Sequence, residues 1–158
     1  MSVELFLANE AETQQLGKKL VQYLTPPWIT YLYGEIGCGK TTMVRAFLNA
    51  LGYDGPVKSP TFSLMEIYEI NDWSVLHLDL YRLSDPEELE FLGLREYLNK
   101  NSLFFVEWPE NAAALLPKAD MKMKFSYAGE GRQLVMEFAR AVDEARFQDD
   151  VIKTWPKR

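Results

Sequence analysis

The segment WITYLYGEIGCGKTT (28–42) constrains the fold more than any other part of this chain. Trp28 to Tyr33 is a continuous apolar run of the kind found in strands buried on both faces, and Gly34 breaks it. From Lys40 onward Val44, Phe47, Leu48 and Leu51 share one helical face, with Gly52 where a C-terminal cap belongs. A strand, a glycine-rich turn and a helix in direct succession form a βα unit. Such units belong in α/β proteins, where helices cover a sheet with parallel strands.

The turn itself, GEIGCGKT (34–41), matches G-x-x-x-x-G-K-[ST] in the strand-to-helix context that this pattern requires. The residue types follow from what a phosphate needs. Gly34, Gly37 and Gly39 let successive N–H groups point inward and leave no Cβ in the path of an anion. Lys40 offers an ammonium to β- and γ-phosphates, Thr41 a hydroxyl to Mg²⁺, and Thr42 reaches the α-phosphate at the positive end of the helix. Cys38 lies inside the loop, either as a small tolerated residue or as a thiol acidified by the helix terminus.

The rest of the chain supplies the remaining elements. A short strand over 3–7 precedes a helix capped by Asn9, with Leu16, Leu20, Val21 and Leu24 at helical spacing and Pro26 and Pro27 as its stop. Residues 52–62 hold two glycines and two prolines and form a long surface loop. Residues 64–70 and 74–80 read as an antiparallel hairpin. SDPEELEFL (84–92) reads as a helix capped by Ser84 or Asp85, and Gly93 separates it from a second short helix ending near Leu98. LFFVEW (103–108) is another buried strand, 121–129 and 132–139 form a second hairpin, and the tail after about residue 140 is helical. The whole of 1–158 is expected to be a single domain.

A phosphate loop requires carboxylates at the ends of neighbouring strands to hold Mg²⁺ and water. Two compete for this work: Asp79 ends VLHLDL and Glu107 ends LFFVEW, each either a site acid or a surface-pointing structural acid. His77 shares a strand face with Asp79, either as a half-buried, satisfied histidine or as part of the site. Arg82 is a phosphate clamp or a surface ion-pair partner. Thr61, in SPTF (59–62), sits where switch segments bring a hydroxyl to a γ-phosphate, although an ordinary Ser-Pro turn reads the same way. Trp108 is either core or partly exposed beside the nucleotide, and Glu110 is either a second site acid or a helix N-terminal acid.

Composition narrows the function. Seventeen Lys and Arg against 23 Asp and Glu give a net charge of −6, which opposes direct grip on a nucleic-acid backbone. Apolar residues at 47% are too many for a disordered chain. The single cysteine, the absence of a basic start and apolar core in MSVELFLANEAET, and apolar runs no longer than LFFV or AAALL point to a soluble protein of the reducing cytoplasm, with no membrane partner. PKAD (117–120) has proline where a guanine reader places asparagine, so guanine specificity has no support. A small-molecule kinase stands as the alternative enzyme, and a nucleotide-gated binding module as the alternative class.

GEIGCGKTT, SPTFSL, HLDLYRL and VEWPE in this order, behind a helix carrying Thr13, Leu16 and Gly17 and ahead of Gly131–Arg132, closely resemble the bacterial TsaE (YjeE) family. The resemblance covers most of the chain up to Ala139. It implies a three-layer α/β P-loop fold with a central mixed, mostly parallel sheet flanked by helices, binding of ATP and ADP with Mg²⁺, weak intrinsic ATPase activity, and work alongside TsaD and TsaB in threonylcarbamoyladenosine modification of tRNA. The tRNA would be met indirectly, through those partners, by a chain that is monomeric outside the complex. It further implies that Thr41 and Glu107 hold Mg²⁺, that Lys40 holds phosphate, and that Thr61 and Asp79 sense the γ-phosphate or support its hydrolysis. Trp108, Glu110 and Arg132 match motif positions.

Overall fold

The computed structural model describes residues 2–156; Met1, Lys157 and Arg158, at the two ends of the expected single-domain span, lie outside the described residues. The chain forms one seven-stranded sheet. Its strands are β1 (Ser2–Leu7), β2 (Trp28–Tyr33), β3 (Met65–Ile70), β4 (Trp73–Asp79), β5 (Ser102–Glu107), β6 (Met121–Ala128) and β7 (Gly131–Phe138), in the order β1-β7-β6-β2-β5-β4-β3. Strands β1, β2, β4, β5 and β6 point one way, and β3 and β7 oppose them as hairpin partners. The sheet is therefore mixed and mostly parallel, as the family resemblance implies.

Helices α1 (Glu10–Tyr23) and α2 (Lys40–Leu51) pack on one face. The Asn9 side chain accepts the Glu12 N–H at 3.0 Å while Glu12 accepts the Ala8 N–H at 2.8 Å, a reciprocal cap that sets where α1 starts. Gly17 lets the two helices touch: a Cβ there would lie 2.5 Å from the Met43 carbonyl oxygen. Side chains alternate along the central strands, so Trp28, Leu32, Val75, Leu103 and Phe105 face the α1/α2 layer. Tyr31, Leu76, Leu78, Phe104 and Val106 face the opposite layer, built from residues after β4 and β5. The tail is helical as expected: α4 (Ala141–Phe147) continues through a π-helical turn (Gln148–Ile152), and Phe147 packs edge-on to Tyr23.

One expectation needs correction. The segment 84–92 is not a full helix: only α3 (Glu88–Phe91) is α-helical, and Leu89 is its one buried residue. Asp85 accepts the Glu87 N–H in a local turn, and a helix anchored by one buried side chain does not propagate. The second short helix is a 3₁₀ turn, Leu94–Tyr97.

Candidate functional site

The loop 34–39 leaves the C-terminal end of β2 and enters α2. Gly34, Gly37 and Gly39 have φ of 143°, 83° and 109°, a region that side chains disfavour, and a Cβ at Gly34 would lie 2.6 Å from Cys38 Sγ. Gly39 caps α2 without any side chain, so nothing on the cap competes for the first N–H groups of the helix. Lys40 folds back over the loop. Its ammonium lies 2.5 Å from the Gly34 carbonyl oxygen and 4.1 Å from the Trp108 ring centroid, and the residue is only 3% exposed. Among the described residues it has one oxygen acceptor for three N–H donors, which leaves two for a ligand.

The strand ends supply the acids. Asp79 and Glu107 are register partners on the parallel neighbours β4 and β5, and both point to the α2 face. Glu107, 3% exposed, meets three groups: Thr41 Oγ1 donates to it at 2.9 Å, His77 Nε2 lies 2.5 Å from Oε2, and Lys40 is nearby. Burial pushes its carboxyl up, but His77, Thr41 and Lys40 together outweigh burial and hold it below the ordinary value. Asp79 goes the other way: burial raises it and the neighbouring Glu107 charge adds to the rise, against the Tyr81 N–H that it accepts at 3.1 Å. The two adjacent carboxyls thus have proton affinities shifted in opposite directions.

A cavity of about 500 Å³ joins these groups to the long loop. Gly37, Gly39, Lys40, Thr41, Thr42, Thr61, Asp79 and Glu107, all expected at the site, line it together, with Trp108 and Arg82. Thr61 Oγ1 pairs with Ser59 Oγ at 2.6 Å. Gly34 does not line the cavity and instead receives the Lys40 ammonium. Cys38 and Arg132 line a neighbouring hollow of about 100 Å³ beside Asn9 and Thr13, which shares Gly37, Gly39 and Thr42 with the main cavity. The Cys38 thiol is fully buried and burial raises it despite Lys40, which removes the acidified-thiol reading. Arg132 braces the loop from outside, donating to the Gly37 carbonyl at 3.4 Å, as Tyr127 does to the Ile36 carbonyl at 2.8 Å. Glu110 is exposed, outside both cavities, in a 3₁₀ turn (Pro109–Ala112), in keeping with its reading as a helix N-terminal acid.

No group of three or more His, Cys, Asp and Glu among the described residues forms a metal cage. The donors on hand are hard oxygens, the Thr41 hydroxyl and the Glu107 and Asp79 carboxylates. That set suits a small divalent cation that takes its remaining ligands from phosphate and water.

Sequence reasoning missed how far His77 enters this site. It is fully buried rather than half-buried, and its Nδ1 has no partner among the described residues. With the Glu107 carboxylate as acceptor, Nε2 is the donor of this contact. Replacement by Ala strips a buried carboxylate of its donor and is expected to cost about 2–4 kcal/mol in urea unfolding. His77→Gln, which retains an N–H, should recover at least half; equal losses for both variants would show that the bond does not carry the stability. Arg45, also missed, lines the cavity from α2, and its position one helical turn after Thr41 was the available signal.

A parallel-sheet core, a glycine loop entering α2 and paired strand-end acids define an α/β P-loop protein. Its relatives agree with that class. A crystal structure of Bacillus subtilis YdiB superimposes with a TM-score of 0.77 over 97% of this chain and 96% of that one, at 23% identity. The family model for threonylcarbamoyl adenosine biosynthesis protein TsaE matches residues 7–135. The tRNA threonylcarbamoyladenosine biosynthesis protein TsaE of Haemophilus influenzae is 39% identical over 138 residues, covering 84% of this chain and 87% of that protein. Its namesake in Bacillus subtilis is 33% identical over 122 residues, covering 77% of this chain and 76% of that protein. The chain belongs to the TsaE family.

Proposed function

We propose that this chain is a Mg²⁺-dependent ATP-binding and ATP-hydrolysing subunit that serves threonylcarbamoyladenosine modification of tRNA by acting on a TsaD–TsaB complex in the cytoplasm. The observation that carries the reading is the Thr41 hydroxyl 2.9 Å from the buried Glu107 carboxylate, beside a buried Lys40 with donors to spare. Thr41 and Glu107 would hold Mg²⁺, which supplies neutralisation of phosphate charge when bound. Lys40 and the inward N–H groups of the loop bind the β- and γ-phosphates, while Thr42 and the hollow beside Arg132 take the nucleoside side. Asp79 has one oxygen tied to the Tyr81 N–H and its other without a partner among the described residues. It is therefore free to orient a water. Water forms a bond to the γ-phosphorus as the β–γ bridging P–O bond breaks, giving ADP, phosphate and a proton, and Thr61 reports the change through its loop.

The −6 charge suits a subunit that meets tRNA only through its partners, and a monomer outside the complex. No helix among the described residues is long and apolar enough to cross a membrane.

The test is ATP turnover by the protein alone and with TsaD–TsaB added. Slow turnover alone and strong stimulation is the expected result. Asp79→Asn is expected to lower stimulated turnover by roughly 100-fold while ATP affinity stays within about threefold. Full turnover in that variant would remove Asp79 from the mechanism. ATP-dependent complex formation without any stimulation would replace the enzyme by a nucleotide-gated module.

A further inference from the structure

The nucleotide cavity carries more positive charge than a phosphate loop alone requires. Lys40, Arg45 and Arg82 line it against two acids, Asp79 and Glu107; Thr41 and His77 engage Glu107, and the Tyr81 N–H engages one oxygen of Asp79. Elsewhere in this acidic chain arginines find partners: Arg95 pairs with Glu90, and Arg140 and Arg146 both pair with Asp143. Arg132 donates to backbone carbonyls. Arg45 and Arg82 have neither a carboxylate nor a carbonyl partner among the described residues, and both open into the same cavity.

Their placement is specific. Arg45 follows Thr41 by four residues on α2, so it lies on the same helix face about 6 Å farther along the axis from the loop. Arg82 follows Asp79 by three residues, and its guanidinium lies 4.7 Å from the ring centroid of Phe62, the residue after Thr61. Stacking covers the face of a guanidinium and leaves its N–H edge free, the edge that binds oxyanions in a fork. Lys40 thus sits at the loop, while Arg45 on α2 and Arg82 after β4, both exposed and without a carboxylate partner among the described residues, line the same cavity.

We propose that Arg45 and Arg82 form an oxyanion subsite that receives the terminal phosphoryl group of a nucleoside triphosphate or the free phosphate released from it. The subsite gives the cavity its preference for triphosphate over diphosphate. The inference rests on the nucleotide reading above and names the groups that read the third phosphate.

Calorimetric titration of the full chain with Mg²⁺ plus ADP, and with Mg²⁺ plus the imido analogue of ATP, tests it. Arg45→Ala and Arg82→Ala are each expected to weaken the analogue about tenfold and ADP less than twofold, and the Lys variants should retain part of the difference. Arg95→Ala, which removes an ion pair outside the cavity, should change neither ligand. Failure of ADP to bind the wild-type protein would remove the nucleotide reading itself. If ADP binds normally and the analogue-to-ADP ratio of the double Ala variant stays within twofold of wild type, the subsite is overturned and the nucleotide reading stands. Inorganic phosphate titrated into the ADP-loaded protein separates the two sources. Saturable heat lost in the double variant assigns the subsite to free phosphate as well, and a fallen ratio without such heat assigns it to the attached phosphoryl group alone.

Discussion

Lys40→Ala is expected to weaken ADP and ATP binding by at least about 100-fold while leaving the protein folded. The ammonium lies in a nearly water-free position with a single oxygen acceptor, the Gly34 carbonyl, and the Trp108 ring beneath it. Charge-assisted hydrogen bonds to two phosphates in such surroundings contribute roughly 3 kcal/mol or more, which sets the fold-change. Stability responds differently. A buried ammonium with one acceptor is costly in the ligand-free protein, and its removal offsets the lost contact with Gly34. The urea midpoint should therefore move by no more than about 1 kcal/mol equivalent. Binding within threefold of wild type would mean that the loop does not grip phosphate through this side chain.

The second large effect is on the scaffold. Gly17→Val should destabilise the protein by at least about 3 kcal/mol, a large part of the 5–15 kcal/mol that holds a typical domain together. A Cβ at Gly17 meets the Met43 carbonyl oxygen at 2.5 Å, the Ala46 Cβ at 2.9 Å and the Phe47 nitrogen at 3.1 Å. Two of these are backbone atoms of α2 that cannot rotate away. The helices must part, and Leu16 and Leu20 lose their packing against Val44 and Phe47. Because α2 begins at the phosphate loop, its displacement also pulls Thr41 from Glu107, so nucleotide affinity should fall even in the folded fraction. An unchanged urea midpoint would show that the helices do not need this approach.

These two residues mark how the sequence could and could not be read. Lys40 was legible because its chemistry is local: the three glycines, the lysine and the threonine act within eight consecutive positions, between a strand and a helix whose periodicities are plain. Asp79 and Glu107 were legible as acids at the ends of apolar runs. Which of them meets Thr41 was not, since that depends on β2 lying beside β5 with β4 one strand farther out. The burial of His77 was hidden for the same reason, because its partner Glu107 is 30 residues away and reaches it only through the β4–β5 register. Helix α3 is shorter than its capping residues and acids predict, because Leu89 is its one buried anchor.

By itself the sequence determined the βα unit with its glycine loop, both hairpins and the family, and named the candidate acids, because each rests on short motifs and periodicities that are local. Only the tertiary structure decided that Glu107 is the acid held by Thr41 and His77, that Asp79 stands beside it with a raised proton affinity, and that Arg45 and Arg82 open unpaired into one cavity. Those outcomes are set by strand order and register, which bring distant side chains within hydrogen-bond reach. No local propensity encodes them.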